Sequence, residues 1–257
     1  MAEKSAREIA AWLDGEHVAR RPFTTISGLA AGGLAFAYDV QDALVALRRE
    51  RTGAQVAGHK IGLTTRRMQT MCGLDHPIAG SILSTDVTKS PARLEKSSYI
   101  GLGLECEIAV RFGSLLGDAP SRAEIAAALD GVATAFEIIE DRAADYAKLD
   151  MPSLVADNSW NAGVVLGPVV KPHDLANMVG HLSIDGEPTD TGSSNDVLGH
   201  PLNAVEWLCA HLAARGRHIG TGEWVMTGSI VPTRFPKRGA RFEFSLGDLP
   251  PVAATIS

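Results

Sequence analysis

The chain has 257 residues, 45% of them hydrophobic, and a formal net charge of −6 from 24 Lys and Arg against 30 Asp and Glu. That length can bury a full core, and an acidic balance relieved only by short pairs such as Arg20-Arg21, Arg48-Arg49 and Arg66-Arg67 excludes the clustered cations of a nucleic-acid surface. No apolar run reaches membrane-spanning length, the charged stretch Met1 to Arg7 leads into no secretory hydrophobic region, and Cys72, Cys106 and Cys209 form no Cys-x-x-Cys pair, which together predict a cytoplasmic protein with buried thiols.

The first third reads as helical. Ser5-Ala6-Arg7-Glu8 is a capping box leading into Ile9 to Leu13, with Asp14-Gly15 as the stop. Phe36, Val40, Leu44 and Leu47 recur at helical spacing and predict a helix from Tyr38 to Glu50, ending at Thr52-Gly53. Short strands separated by Gly and Pro follow. The first, Gln55 to Ile61, carries Gly58-His59-Lys60-Ile61-Gly62 at its end. Lys60 there is either an exposed lysine beside a turn or a group that holds a substrate carboxylate, with proton transfer open to it if burial lowers its pKa. His59 alternates to the other face and reads as structural. Thr64 or Thr65 caps a short helix with Met68, Met71 and Cys72, and Pro77 and Gly80 mark a turn.

Leu104 to Phe112 is the next strand, and it contains Glu105 and Glu107. Side chains at i and i+2 share a face, with Cα atoms roughly 6.6 to 6.8 Å apart. Two carboxylates on a partly buried face are costly unless a cation lies between them. The alternative is an ordinary solvated strand face. Ser121-Arg122-Ala123-Glu124 then opens a helix over Ile125 to Leu129 that stops near Gly131, and Val132 to Ile139 is a strand holding Glu137. If the two strands are neighbours, Glu137 joins the first pair. Three carboxylates suit Mg²⁺ or Mn²⁺, hard ions that prefer oxygen. Glu140 has the opposite parity to Glu137 and is a poorer ligand.

Asp157-Asn158-Ser159-Trp160-Asn161 is a polar cluster that either turns tightly or lines a pocket. Later strands are predicted at Ala162 to Leu166, His181 to Ile184 before an Asp185-Gly186 hairpin turn, Glu223 to Thr227, and Arg241 to Leu246. Pro201 opens an amphipathic helix with Val205, Leu208 and Leu212 that stops near Gly216. This pattern predicts an α+β protein whose mixed β-sheet is rolled into a barrel-like form, with a helical N-terminal region over residues 1–75 packed on a main domain over 76–257. Gly101-Leu102-Gly103 is no dinucleotide loop, because a strand follows it. A triad of Ser229, His200 and Asp157 can be drawn but has no supporting motif.

Taken in order, Gly58-His59-Lys60-Ile61-Gly62-Leu63-Thr64, Leu104-Glu105-Cys106-Glu107, Phe136-Glu137-Ile138-Ile139, Ala156-Asp157-Asn158-Ser159, Gly199-His200-Pro201-Leu202 and Gly222 through Ser229 resemble the fumarylacetoacetate hydrolase superfamily. The likeness is to its branch of 2-oxo-4-pentenoate hydratases and 4-oxalocrotonate decarboxylases. It implies Glu105, Glu107 and Glu137 as ligands of Mg²⁺ or Mn²⁺, Lys60 as catalytic and substrate-binding, Leu63 and Ser159 as substrate contacts, and a homo-oligomer able to form a complex with a pathway enzyme. The implied activity is hydration of a 2-hydroxydienoate to a 4-hydroxy-2-oxo acid in aromatic catabolism, with decarboxylation as the alternative. Acylpyruvate hydrolysis and a non-catalytic partner subunit are further alternatives. The sequence departs from the branch at Pro77-Ile78-Ala79-Gly80, where many hydratases carry Pro-Asp-aromatic-Gly, and at Glu140-Asp141-Arg142; Trp160 suggests an altered pocket wall.

Overall fold

Helix α1, Ala6–Val18, opens on the expected capping box, with Glu8 N donating to Ser5 Oγ and Ser5 N donating to Glu8 Oε2. The computed structural model describes residues 4–257; Met1–Glu3 of the charged N-terminal stretch lie outside the described residues. The helix does not stop at Asp14-Gly15. A glycine inside a helix costs about 1 kcal/mol relative to alanine, and burial of Leu13 and Glu16, with His17 docked on Asp157, offsets it. Helix α2, Leu29–Thr52, starts well before the predicted Tyr38 because its first turns are set off by a break at Gly33 (φ 66°, ψ −168°). It ends as predicted on left-handed Gly53, φ 72°.

Strand β1, Val56–Gly62, is followed by α3, Arg66–Met71, capped by Thr65, and by β2, Ile78–Leu83. The predicted turn at Pro77 and Gly80 is not formed as such: Pro77 immediately precedes β2 and Gly80 lies in its interior. Gly80 is needed there for close approach, since a Cβ would run into the Asn158 backbone and the Lys60 stem. Then come β3, Val87–Lys89; β4, Ala92–Leu94; β5, Leu102–Phe112; α4, Arg122–Ala128; and β6, Leu129–Glu140. Helix α4 carries the predicted Ser121–Glu124 box but passes straight into β6 at Leu129, so Gly131 lies in a strand. The remaining elements are α5, Met151–Ala156; β7, Asn161–Leu166; β8, Val179–Ile184; β9, Glu187–Ser193; α6, Pro201–Ala213; β10, Trp224–Met226; β11, Arg241–Leu246; and β12, Leu249–Ile256. Asp185 (φ 55°) and Gly186 (φ 87°) make the β8–β9 hairpin turn.

The strands form a seven-stranded mixed sheet, β2-β1-β10-β5-β6-β7-β3, and a five-stranded sheet, β4-β12-β11-β8-β9. The larger sheet curls. Its concave face is filled by Ala109, Ala133, Ala135, Val164, Trp224 and Met226, small side chains alternating with large ones as a tight curl requires. Its convex face packs on the smaller sheet, where Phe136 of β6 meets Phe242 of β11 edge to face at 6.4 Å. The open edge of β2 is closed by side chains rather than by a strand. Ala79 N donates to Tyr38 Oη, Ala79 O accepts from Gln41 Nε2 and Ser159 Oγ, and the Asn158 amide pairs with both Ser81 N and Ser81 O. The predicted division at residue 75 falls between β1 and β2, which pair with each other. No helix among the described residues is long and apolar enough to cross a membrane. Cys106 and Cys209 are buried, Cys72 is half-buried, and all three are free thiols.

Candidate metal centre

Strand pairing brings distant carboxylates to one face. In the antiparallel β5–β6 ladder Glu105 lies directly opposite Glu137, and Glu107 is one pleat further along. The same face is carried across β10, where Met226 pairs with Ala109 on one side and with Lys60 on the other. Lys60 therefore shares the concave face with all three glutamates, although β10 separates its strand from β5. His59 points to the opposite face, where its Nε2 is 3.4 Å from Glu223 Oε2.

One oxygen from each of Glu105, Glu107 and Glu137 falls within 4.8 Å of the others. Glu107 and Glu137 are fully buried, and Glu105 is half-buried. Each carboxylate has one oxygen tied by a protein donor. Thr233 Oγ1 donates to Glu105 Oε1 at 2.5 Å, Gly228 N to Glu107 Oε2 at 2.8 Å, and Asn161 Nδ2 to Glu137 Oε1 at 2.9 Å. The other oxygens of the two buried residues, Glu107 Oε1 and Glu137 Oε2, have no hydrogen-bond partner. A buried carboxylate oxygen with nothing to accept from is costly. When ionised, three carboxylates and the Lys60 ammonium, 3.3 Å from Glu137 Oε1, leave a local charge of −2. One divalent cation cancels it, and the all-oxygen donor set suits Mg²⁺ or Mn²⁺. The residues present fit such an ion.

Without a cation the electrostatics work against ionisation. Burial pushes Glu107 well above the ordinary carboxylate range, and the neighbouring Glu137 and Glu105 charges push it further. Burial likewise raises Glu137 to about 7, against the pull of Lys60. For Lys60, burial favours the neutral amine, but Glu137 and then Glu105 and Glu107 outweigh it and raise its pKa. A group whose folded pKa lies above its unfolded value contributes stability at low pH that is lost as pH rises through the folded pKa. In EDTA the melting temperature is therefore expected to fall as pH rises from about 4.5 to about 7, the interval between the ordinary and the raised value for Glu137, and added Mn²⁺ should remove that fall, because coordination replaces the lost protons. A metal-free melting profile that stays flat over this interval, or one that Mn²⁺ leaves unchanged, would contradict the assignment.

The other predicted residues fall as follows. Leu63 is half-buried with φ 57°, and its carbonyl accepts from Gln69 Nε2. Ser159 is buried, and its hydroxyl is spent on Ala79 O. Glu140 turns away from the glutamates and accepts from the N–H groups of Ile100, Gly101 and Arg142. Ser229, His200 and Asp157 form no triad: Ser229 Oγ donates to Val231 O, His200 lies 3.8 Å from Asp174, and Asp157 is held by His17 and Arg142. Trp160 is buried edge-on to Phe23 and Tyr146 at 5.3 and 5.6 Å. Thr233, Asn161 and the Gly228 N–H were not singled out by the sequence as supports of the glutamates. Asn161 lay within the polar cluster, but Thr233 sits in a loop far along the chain with no local motif to mark it.

The profile of the Fumarylacetoacetate (FAA) hydrolase C-terminal family matches residues 79–257. The chain belongs to this family. Its relatives include a "4-oxalocrotonate decarboxylase" of a Pseudomonas species, 30% identical over 224 residues and covering 87% of each chain. A "2-keto-4-pentenoate hydratase" of Paraburkholderia xenovorans (strain LB400) is 34% identical over 200 residues, covering 76% of this chain and 74% of the relative. Among solved structures, 4-oxalocrotonate decarboxylase from Pseudomonas putida G7, complexed with magnesium and adipate, superposes with a TM-score of 0.91 at 27% identity, covering 98% of this chain and 97% of that one. This family member thus keeps the rolled mixed sheet and sets three glutamates and a lysine on its concave face.

Proposed function

We propose that the protein is a metal-dependent lyase acting on small 2-oxo acids, hydrating a 2-hydroxydienoate to a 4-hydroxy-2-oxo acid in aromatic catabolism. The observation that carries this is the carboxylate triad with one free oxygen on each buried member and an ammonium beside it. Glu105, Glu107 and Glu137 would hold Mg²⁺ or Mn²⁺, whose Lewis acidity would polarise the 2-oxo group. The Lys60 ammonium has three donors and one protein acceptor in range, so it can also bind the substrate carboxylate and supply a proton. Leu63, just past the end of β1, and Ser159, beside β2, would contact the substrate. Relatives named as hydratases and as decarboxylases support a lyase of this type.

Decarboxylation of a 4-oxalocrotonate-type acid is the second reading, and one observation favours it. Ile78 is buried on the concave face, where many hydratases carry an acid. Its Cγ1 and the Lys60 Nζ lie 3.4 and 3.3 Å from the point a Cβ on Gly62 would occupy. An apolar group therefore stands beside the ammonium in place of a second proton carrier. We also place the protein in the cytoplasm as a homo-oligomer that can associate with a pathway enzyme. The deciding assay offers metal-loaded protein 2-hydroxypenta-2,4-dienoate and, separately, 4-oxalocrotonate, following the conjugated chromophore and CO₂. Loss of the dienoate without CO₂ is expected for a hydratase, and CO₂ release identifies a decarboxylase. Inertness toward both with metal bound would sink the lyase reading and leave acylpyruvate hydrolysis or a non-catalytic subunit.

A further inference from the structure

The turn entering β7 holds three consecutive non-glycine residues in the left-handed region: Asn158 (φ 53°), Ser159 (φ 49°) and Trp160 (φ 58°). Such a conformation persists only where its surroundings over-determine it. Asn158 and Ser159 are pinned to the backbone of β2. Just before them, the fully buried Asp157 carboxylate is gripped from both sides, by His17 Nε2 of α1 at 2.5 Å and by Arg142 Nη2 at 2.6 Å. Just after them, Asn161 donates to Glu137 Oε1. A cavity of about 260 Å³, lined by His17, Arg48, Asp86, Asp157, Trp160 and Asn161, flanks the turn. His17, on the wall of this cavity, makes the polar contact from α1 to Asp157.

We propose that His17 and Asp157 are positioning residues for the metal centre. Helix α1 braces the strained turn so that Asn161 keeps Glu137 Oε1 tied and turns Oε2 toward the ion. Neither residue touches substrate or metal, and both act through Asn161. The inference rests on the metal reading above, and it makes the N-terminal helices part of the site rather than an appendage. Polar partners that orient a metal ligand are worth about 10- to 100-fold in metal affinity.

The test is Mn²⁺ titration, by calorimetry, of the full chain and of His17→Ala, His17→Gln, Asn161→Ala and the His17→Ala/Asn161→Ala double variant. His17→Ala and Asn161→Ala should each weaken binding about tenfold. The double variant should bind no worse than Asn161→Ala alone, because the brace has then lost what it positions. His17→Gln, whose amide can still donate to Asp157, should recover most of the affinity. Unchanged affinity in His17→Ala, fully additive losses in the double variant, or equal losses in His17→Gln and His17→Ala would each overturn the positioning role while leaving the metal centre standing. Absence of saturable Mn²⁺ binding by the parent chain would overturn both.

Discussion

Glu107→Gln is expected to abolish turnover, by at least about 10³-fold, and to weaken Mn²⁺ binding by at least about 100-fold, while raising the melting temperature of the metal-free protein at about pH 8. The two effects have one cause. Glu107 is fully buried among like charges, with Oε1 unpartnered and Oε2 tied to Gly228 N–H. A neutral amide keeps the shape and can keep the Gly228 bond, but it removes a buried charge that only a cation compensates. Activity measured with saturating Mn²⁺, calorimetric titration, and melting curves with and without EDTA check all three parts. Retained metal affinity in this variant would remove Glu107 from the ligand set. A lower metal-free melting temperature would show that the ionised carboxylate is satisfied in some other way.

Lys60→Met is expected to behave differently, losing about 10²- to 10⁴-fold in kcat/KM with Mn²⁺ affinity unchanged or tighter. Methionine keeps much of the length and all of the apolar stem in a buried position between Gly80 and Gly62. What disappears is the ammonium 3.3 Å from Glu137 Oε1, which competes with a metal ion for the same carboxylates. Splitting binding from turnover in this way separates a residue that meets the substrate from one that holds the ion. Parent-like turnover would place the substrate elsewhere. Loss of Mn²⁺ binding would make Lys60 a structural counter-ion.

Several local features were legible in the chain because their causes are local. The capping boxes at Ser5 and Ser121, left-handed Gly53 and the Asp185-Gly186 hairpin turn need only a few neighbouring residues, and each appears where its residues put it. The stop at Asp14-Gly15 failed for the same reason in reverse. A weak local signal met a nonlocal contact, His17 on Asp157, that the sequence does not display. Strands β2, β3, β4, β9 and β12 escaped prediction because they are short, rich in Gly, Pro or charge, or placed at sheet edges, where partners rather than propensity make the strand.

The site divides along the same line. By itself the sequence determined that Glu105 and Glu107 share a face and that Glu140 leaves the face of Glu137, since both follow from the two-residue period of a strand. It also placed Lys60 at the end of a glycine-flanked strand. Only the tertiary structure decided the rest. The β5–β6 register set Glu105 against Glu137, and β10, from the last quarter of the chain, entered between β1 and β5 to bring Lys60 onto their face. Thr233, Gly228 and Asn161 came from three further positions to tie one oxygen of each glutamate. These are pairings between residues far apart in the chain, chosen by which register buries the most apolar surface and leaves the fewest polar groups unpaired, a competition that no short window of sequence contains.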